Sequence, residues 1–512
     1  MHGIASVVLV SAFVLVVSAS QALEIEESSF PSYRLPLRWF PRSYNLTLDF
    51  SSFEETNSYE GHVEINIIQS DEPTDSSWKS NGRGACLKNW GSRRIILHAD
   101  PSIKLVDVKL FKDKISPKEL SIKSIKRDSK KQMIAIKPSR SLYSSRFDRL
   151  VIKFKGELRS DKRGVYVSTY KVGDKEYKTI VSNFQPTGAR LVFPVFDEPR
   201  FKAEFSVRLI HPDHMTAYSN DPLLSEEVTP KPHTIESVFY TIKPMAPHSV
   251  AFAVGQFDEP LEVKKFTAYL PQCTVRVITA PGLRTSGGFA LDMAERSLNY
   301  IEKFLKNDYS LQELNIIAIA DLERDYTASL GLVFMRDTRV LIDGTASTDT
   351  KIAASIDIAN ACAHQWFGNL VTAAWWSDLL VTEGIAAHLA LQFVQGQYPH
   401  MQSEYFVRLD ILSEVMQADA AEELHALLPA PSELETSEQI HALFDKLDFM
   451  KSASIFKRIY LSLGEQRYNN LLTRLLHDFS DRSFETDEIT YRFDSYRIAG
   501  GKALIDSYKG VR

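Results

Sequence analysis

The chain has 512 residues, 44 % hydrophobic and 24 % charged, with a net charge of −5. That supplies apolar material for two or three packed domains and excludes a disordered chain. The small negative balance gives no global reason to expect nucleic acid or an anionic membrane as partner.

The amino terminus carries an apolar run from Ile4 to Val17, then the small residues around Ser18 to Ala22, then Glu24, Glu26 and Glu27. The run is short for a membrane span and suits a signal-peptide core, so residues 1–22 are read as a secretory signal cleaved after Ser20 or Ala22. The leading Met1-His2-Gly3 lacks Lys or Arg, which keeps a signal-anchored membrane surface as the alternative to a secreted or extracellular product. No later apolar run has spanning length, so no stable membrane span is expected. Asn45-Leu46-Thr47 is a glycosylation sequon and agrees with a secretory route.

Residues 31–257 read as β structure. The runs 44–50, 62–70, 93–99, 104–111, 133–138, 150–154, 204–210 and 238–242 are rich in β-branched and aromatic residues, and Ser, Asp, Pro and Gly clusters separate them. The basic stretch from Lys104 to Arg163 interleaves its lysines with Val, Leu and Ile at strand period, which marks a solvated sheet face; an anion-binding patch is the other reading. Three cysteines, Cys86, Cys273 and Cys362, make no disulfide framework. Whether Cys86 and Cys273 pair stays open.

From residue 258 helices and strands alternate. Leu291, Ala294, Leu298, Ile301 and Leu305 mark an amphipathic helix, and 314–322 reads as a buried strand. Further on, Ile356, Ala359, Ala363, Trp366 and Phe367 recur at helical spacing, as do Leu379, Leu380, Ile385, Leu389 and Leu391. They imply two helices, the first ending near Gly368-Asn369. A zinc peptidase of the H-E-x-x-H type puts two histidines on one helical face and a general-base Glu between them. Here the register reads Asn360, Ala361, Cys362, Ala363, His364, so the second His alone is present. Cys362 does not pair with His364 as a nucleophile, because residues two apart on a helix do not face each other. A small buried hydrophobe is the reading adopted.

The surrounding residues are specific. Ala363-His364-Gln365-Trp366-Phe367-Gly368-Asn369, then Trp375-Trp376, then Glu383, with eighteen residues between His364 and Glu383, resemble the gluzincin signature of the aminopeptidase N family of zinc metallopeptidases. Leu35 to Phe50, Gly164 to Tyr170 and above all Phe193-Pro194-Val195-Phe196-Asp197-Glu198-Pro199 resemble that family's amino-terminal domain. The resemblance implies an α+β multidomain chain: a sheet-rich, saddle-like domain over 31–257, then a thermolysin-like, mainly helical α/β domain over 258–512. The family's following β-sandwich and helical domains are expected to be absent.

Carried over by position, the resemblance also implies loss. The metal ligands fall on Asn360, His364 and Glu383, and the general base falls on Ala361. The substrate's ammonium group would be met at Asn183, Gln185 and Ala328, where the family's Gly-Ala-Met-Glu-Asn run is replaced by Asp325-Tyr326-Thr327-Ala328-Ser329. The tyrosine that would hydrogen-bond the oxyanion falls on Phe449, in a helix expected over 448–468.

The expected function is therefore a secreted aminopeptidase-like pseudoenzyme that binds a peptide or protein partner, with no catalytic residue and no cofactor. The alternative is an active zinc-dependent aminopeptidase cleaving N-terminal residues, with His388 as a substitute ligand. Leu461, Leu471, Leu472 and Leu475 suggest a patch for self-association. Asn360→His alone is expected to restore zinc uptake without peptidase activity.

Overall fold

The computed structural model describes residues 24–69, 94–112, 118–139, 148–241, 243–265, 273–399, 417, 427–444 and 446–495. The expected signal segment, Cys86 and the residues after 495 lie outside these ranges.

An eight-stranded sheet dominates the amino-terminal half. In spatial order its strands are Leu223–Val228, Thr234–Phe239, Glu204–Pro212, Trp39–Asp49, Ser58–Gln69, Asp148–Glu157, Lys104–Lys112 and Lys118–Leu120. Period-2 alternation explains the central strand: Tyr44, Leu46 and Leu48 are buried while Asn45 stays exposed. Tyr44 stacks on Phe205 of the parallel neighbour at 4.4 Å, so aromatic pairing reinforces the ladder. The opposite face is wet. Lys155 pairs with Glu60 at 2.6 Å, Arg149 with Glu64 at 3.3 Å and Lys104 with Glu157 at 3.7 Å, as a solvated basic face requires.

The run expected at 238–242 is displaced. Its strand is Thr234–Phe239, and beyond it the Tyr240 N–H turns to the Pro222 carbonyl. Its partner Leu223–Val228 is an edge strand with no buried residue, so it carries no alternation by which to recognise it.

The segment from Phe193 to Phe205 joins the two halves. Arg190 Nε meets Asp197 at 2.7 Å in the core, and Arg34 reaches Glu198 at 3.4 Å while its guanidinium lies 3.7 Å over Trp375. Lys202 Nζ donates to the carbonyls of Asn369 and Leu370 at 2.8 and 2.9 Å, so the loop after His364 is anchored to the sheet-rich part.

The second half begins with a five-stranded sheet in the order Leu261–Lys265, Cys273–Ile278, Glu313–Ile319, Leu332–Arg336, Tyr326–Ala328. Tyr326–Ala328 is the antiparallel edge. The helix Gly288–Leu305 buries Ala294, Leu298, Ile301 and Leu305, as its period requires. Thr348–Ala363 is buried nearly all round and packs between Gly288–Leu305 and Leu379–Gln397. Leu379–Gln397 in turn approaches Lys446–Leu463 so closely at Gly384 that a Cβ there would lie 2.6 Å from the Phe456 ring. The helix expected over 448–468 is two: Lys446–Leu463 ends at Gly464, whose φ of 75° suits glycine, and Glu465–Phe479 follows.

The chain is thus α+β, a sheet-rich amino-terminal part followed by a mainly helical part. Among the described residues no helix is long and apolar enough to cross a membrane. The expected leucine patch is not present as such: Leu471, Leu472 and Leu475 are buried on the inner face of Glu465–Phe479, and only Leu461 of the four is exposed, at 68 %.

Candidate functional site

His364 caps the helix Thr348–Ala363, whose start is set by Ser347, a side-chain oxygen accepting the Thr350 N–H at 3.1 Å. The chain does not run helically on to Gly368-Asn369 but turns at once, and Gly368 adopts φ 130°. A Cβ at 368 would lie 2.8 Å from His364 Nδ1. Glycine there leaves room for that nitrogen to donate to the Phe367 carbonyl at 3.0 Å, which turns Nε2 toward Glu383. Glu383, on Leu379–Gln397, receives Nε2 at 3.3 Å. Burial pushes the imidazole down, but the Glu383 charge and hydrogen bond, with the Phe367 carbonyl, outweigh it and raise His364 above the ordinary histidine range.

The third ligand position is engaged elsewhere. Asn360 is fully buried and its amide nitrogen donates to the Tyr326 hydroxyl, leaving its Oδ1 without a partner. Tyr326, on the edge strand, has its ring centroid 6.5 Å from that of His364. Burial, followed by the charges of Glu383 and Asp357, raises the phenol well above its usual range, so it sits there as a neutral hydroxyl. A protein zinc site takes at least three ligands at about 2.0–2.2 Å. The donors here are one imidazole, one carboxylate, a neutral amide and a neutral phenol. Among the described residues no group of three or more His, Cys, Asp and Glu comes together to hold a metal. These residues do not fit a zinc centre.

Around this pair opens a cavity of about 660 Å³, lined from both halves of the chain. Gln185, Ala328, His364, Glu383 and Phe449 line it; Asn183, Asn360, Ala361 and His388 do not. Asn183 instead donates its amide to the Lys162 carbonyl at 2.8 Å, an ordinary loop contact. Ala328 offers a methyl group where a carboxylate would face an ammonium, and its carbonyl accepts from Asn369 at 2.9 Å. Ala361 is buried, and its carbonyl takes the Gln365 amide at 3.3 Å. Phe449 presents a ring without a hydroxyl. His388 is turned away, with Nδ1 3.0 Å from the Tyr468 hydroxyl and its ring 5.3 Å from that of Tyr460, so it is no substitute ligand in this arrangement. Cys362 is buried beside the Ala294 carbonyl, and Cys273 is buried too. Asn45 is exposed on its strand.

Two features of this cavity escaped the sequence reading. One is Tyr326, whose position in the replaced run was visible but whose reach to Asn360 was not. The other is a charged wall. Arg336 and Arg339 hold Asp325 at 3.3 and 3.2 Å, Arg339 meets Asp357 at 2.9 Å, and Arg324 lies 4.7 Å over the Phe444 ring. Their scatter over a loop, a strand end and two helices leaves no local pattern.

Comparison with known proteins agrees with this architecture. Residues 40–246 match the peptidase M1 N-terminal domain and 289–504 the peptidase family M1 domain. Aminopeptidase M1-D of Oryza sativa subsp. japonica is 31 % identical over 347 residues, 66 % of this chain and 38 % of that protein. Human endoplasmic reticulum aminopeptidase 2 is 32 % identical over 343 residues, 66 % of this chain and 35 % of its own length. Puromycin-sensitive aminopeptidase of Caenorhabditis elegans is 31 % identical over 364 residues, 71 % and 37 % respectively. The chain therefore spans well under half the length of these relatives. Both halves of the chain, and the helix pair that brings His364 to Glu383, place it in the M1 peptidase family, the family of aminopeptidase N.

Proposed function

We propose that the chain is a non-hydrolysing member of its family that binds a peptide, or a segment of a protein partner, in the cavity. One observation carries this reading: His364 and Glu383 face each other while the third ligand position, Asn360, is hydrogen-bonded to Tyr326. The other losses point the same way. A general base contributes about 10²–10⁴ in rate. An oxyanion donor contributes about 3 kcal/mol. Ala361 and Phe449 supply neither. The cavity itself, with apolar and aromatic side chains beside a charged wall, has the size of a ligand site.

The rival reading, an active zinc aminopeptidase, is favoured by the names of the relatives and by the retained His364–Glu383 geometry. Turnover decides between them. After zinc exposure and dialysis the full chain is assayed on alanyl and leucyl substrates, and no hydrolysis above the uncatalysed rate is expected. Turnover that a chelator abolishes would establish the rival. We further propose a secretory route on the strength of the Ile4–Val17 run, the Asn45 sequon and the exposure of Asn45, with peptide rather than nucleic acid as partner.

A further inference from the structure

Among the described residues of the cavity wall, Arg336 and Arg339 are held in ion pairs and Arg324 is not. It lies on the turn leading into the edge strand Tyr326–Ala328, and its guanidinium rests on Phe444. Phe444 packs edge-on against Trp376 at 5.5 Å, so the plane of the cation is supported by two rings that themselves line the cavity. The acidic groups around it are already committed: Asp325 to Arg336 and Arg339, Asp357 to Arg339, Glu383 to His364. Glu323 is exposed and acts on Arg324 only from beyond ion-pair distance. Among the described residues no carboxylate lies within 4 Å of the Arg324 guanidinium.

The charge of a second arginine is felt at the same corner. Arg163, on the turn before the strand Gly164–Val172, acts on Arg324 with the sign of burial, and burial followed by these two arginines holds His441 down to about 4. Arg163 has Glu438 in its field, and its backbone N–H donates to the Asp161 carboxylate at 3.2 Å. Arg324 is thus the member of this corner that itself lines the cavity, and Arg163 adds positive charge from a separate segment behind it.

We propose that this corner is a carboxylate site, in which the Arg324 fork takes an acidic group of the bound peptide, either its free carboxyl terminus or an Asp or Glu side chain. Guanidinium geometry matches a carboxylate with two parallel hydrogen bonds, and the aromatic support fixes the plane in which they form. This rests on the peptide-binding reading above and assigns it a chemistry opposite to that of the family's ammonium site: the feature recognised is negative.

The test is fluorescence anisotropy of the full chain with labelled peptides of one length, ending in acid or amide and carrying Glu or Gln inside. A bidentate charge-assisted contact predicts about tenfold weaker binding for the neutral form at whichever carboxylate is used. Loss on amidation identifies the carboxyl terminus; loss on Glu replacement identifies a side chain. Arg324→Gln is expected to bind acidic and neutral forms alike, and Arg324→Lys, which keeps the charge over Phe444, to recover only part of the preference. Equal binding of all peptides by wild type removes the carboxylate site and leaves peptide binding standing. A folded Arg324→Gln that keeps the full preference does the same. No binding of any peptide removes both.

Discussion

Asn360 and Tyr326 together decide how the pair His364 and Glu383 is placed to take a third ligand. A histidine at 360 would reach one turn before His364 toward the same point, but the Tyr326 hydroxyl already occupies the reach of the Asn360 amide. The simple expectation that Asn360→His alone restores zinc therefore changes. The single variant is expected to take up no stoichiometric zinc, whereas Asn360→His with Tyr326→Ala, which clears the phenol, is expected to load one ion. Metal analysis after identical zinc exposure and dialysis checks this, and full loading of the single variant would show that Tyr326 moves aside freely. Neither variant is expected to hydrolyse peptides, since groups that work as a unit do not return in proportion to the number replaced. The proposed losses at Asn360, Ala361, Ala328 and Phe449 could be read from sequence because each falls on a motif position of the family resemblance. The gain at Tyr326 could not, because a motif states what is missing and only packing shows what fills the space.

At the scale of elements, the helices Leu379–Gln397, Lys446–Leu463 and Glu465–Phe479 meet around His388, Tyr460 and Tyr468. Burial, then the charge of Lys457, pushes His388 down to about 3. A histidine in the unfolded chain titrates near about 6.5. Between those values the unfolded chain holds a proton that the fold refuses, so His388 makes stability fall as pH drops from about 6.5 toward 3. His248, also pushed to about 3 by burial, acts in the same sense, while Asp378, raised by burial to about 6, acts in the opposite one. His388→Gln is expected to flatten part of that acid slope while leaving the others. Thermal unfolding of both proteins across this range measures it, and parallel curves would show that His388 titrates normally in the fold. Of these helices Leu379–Gln397 was readable from its 3.6-residue period and the one expected over 448–468 from the family resemblance; the break at Gly464 was not, because a lone glycine inside an apolar pattern is equally compatible with continuation. The edge strand Leu223–Val228 was missed for the complementary reason: an exposed edge has no buried face to print a period.

Over the whole molecule, the cavity is a property of neither half. Gln185, Pro199 and His248 come to it from the sheet-rich part, and the helices and the edge strand supply the rest. The family motifs in each half therefore disclosed the architecture, while the charged wall of Arg324, Arg336 and Arg339 emerges only when the strands and helices of the second half pack together. The proposed function is that this cavity binds a peptide and leaves it uncut. The measurement that tests it most directly is the mass of the bound peptide: the full chain is incubated, with zinc in solution, with a peptide bearing a free amino terminus and an acidic group, and the complex is isolated and its peptide weighed. The account predicts peptide retained at its original mass. Peptide recovered shorter by residues from its amino terminus, with a chelator preventing the loss, or no peptide retained at all, would contradict it.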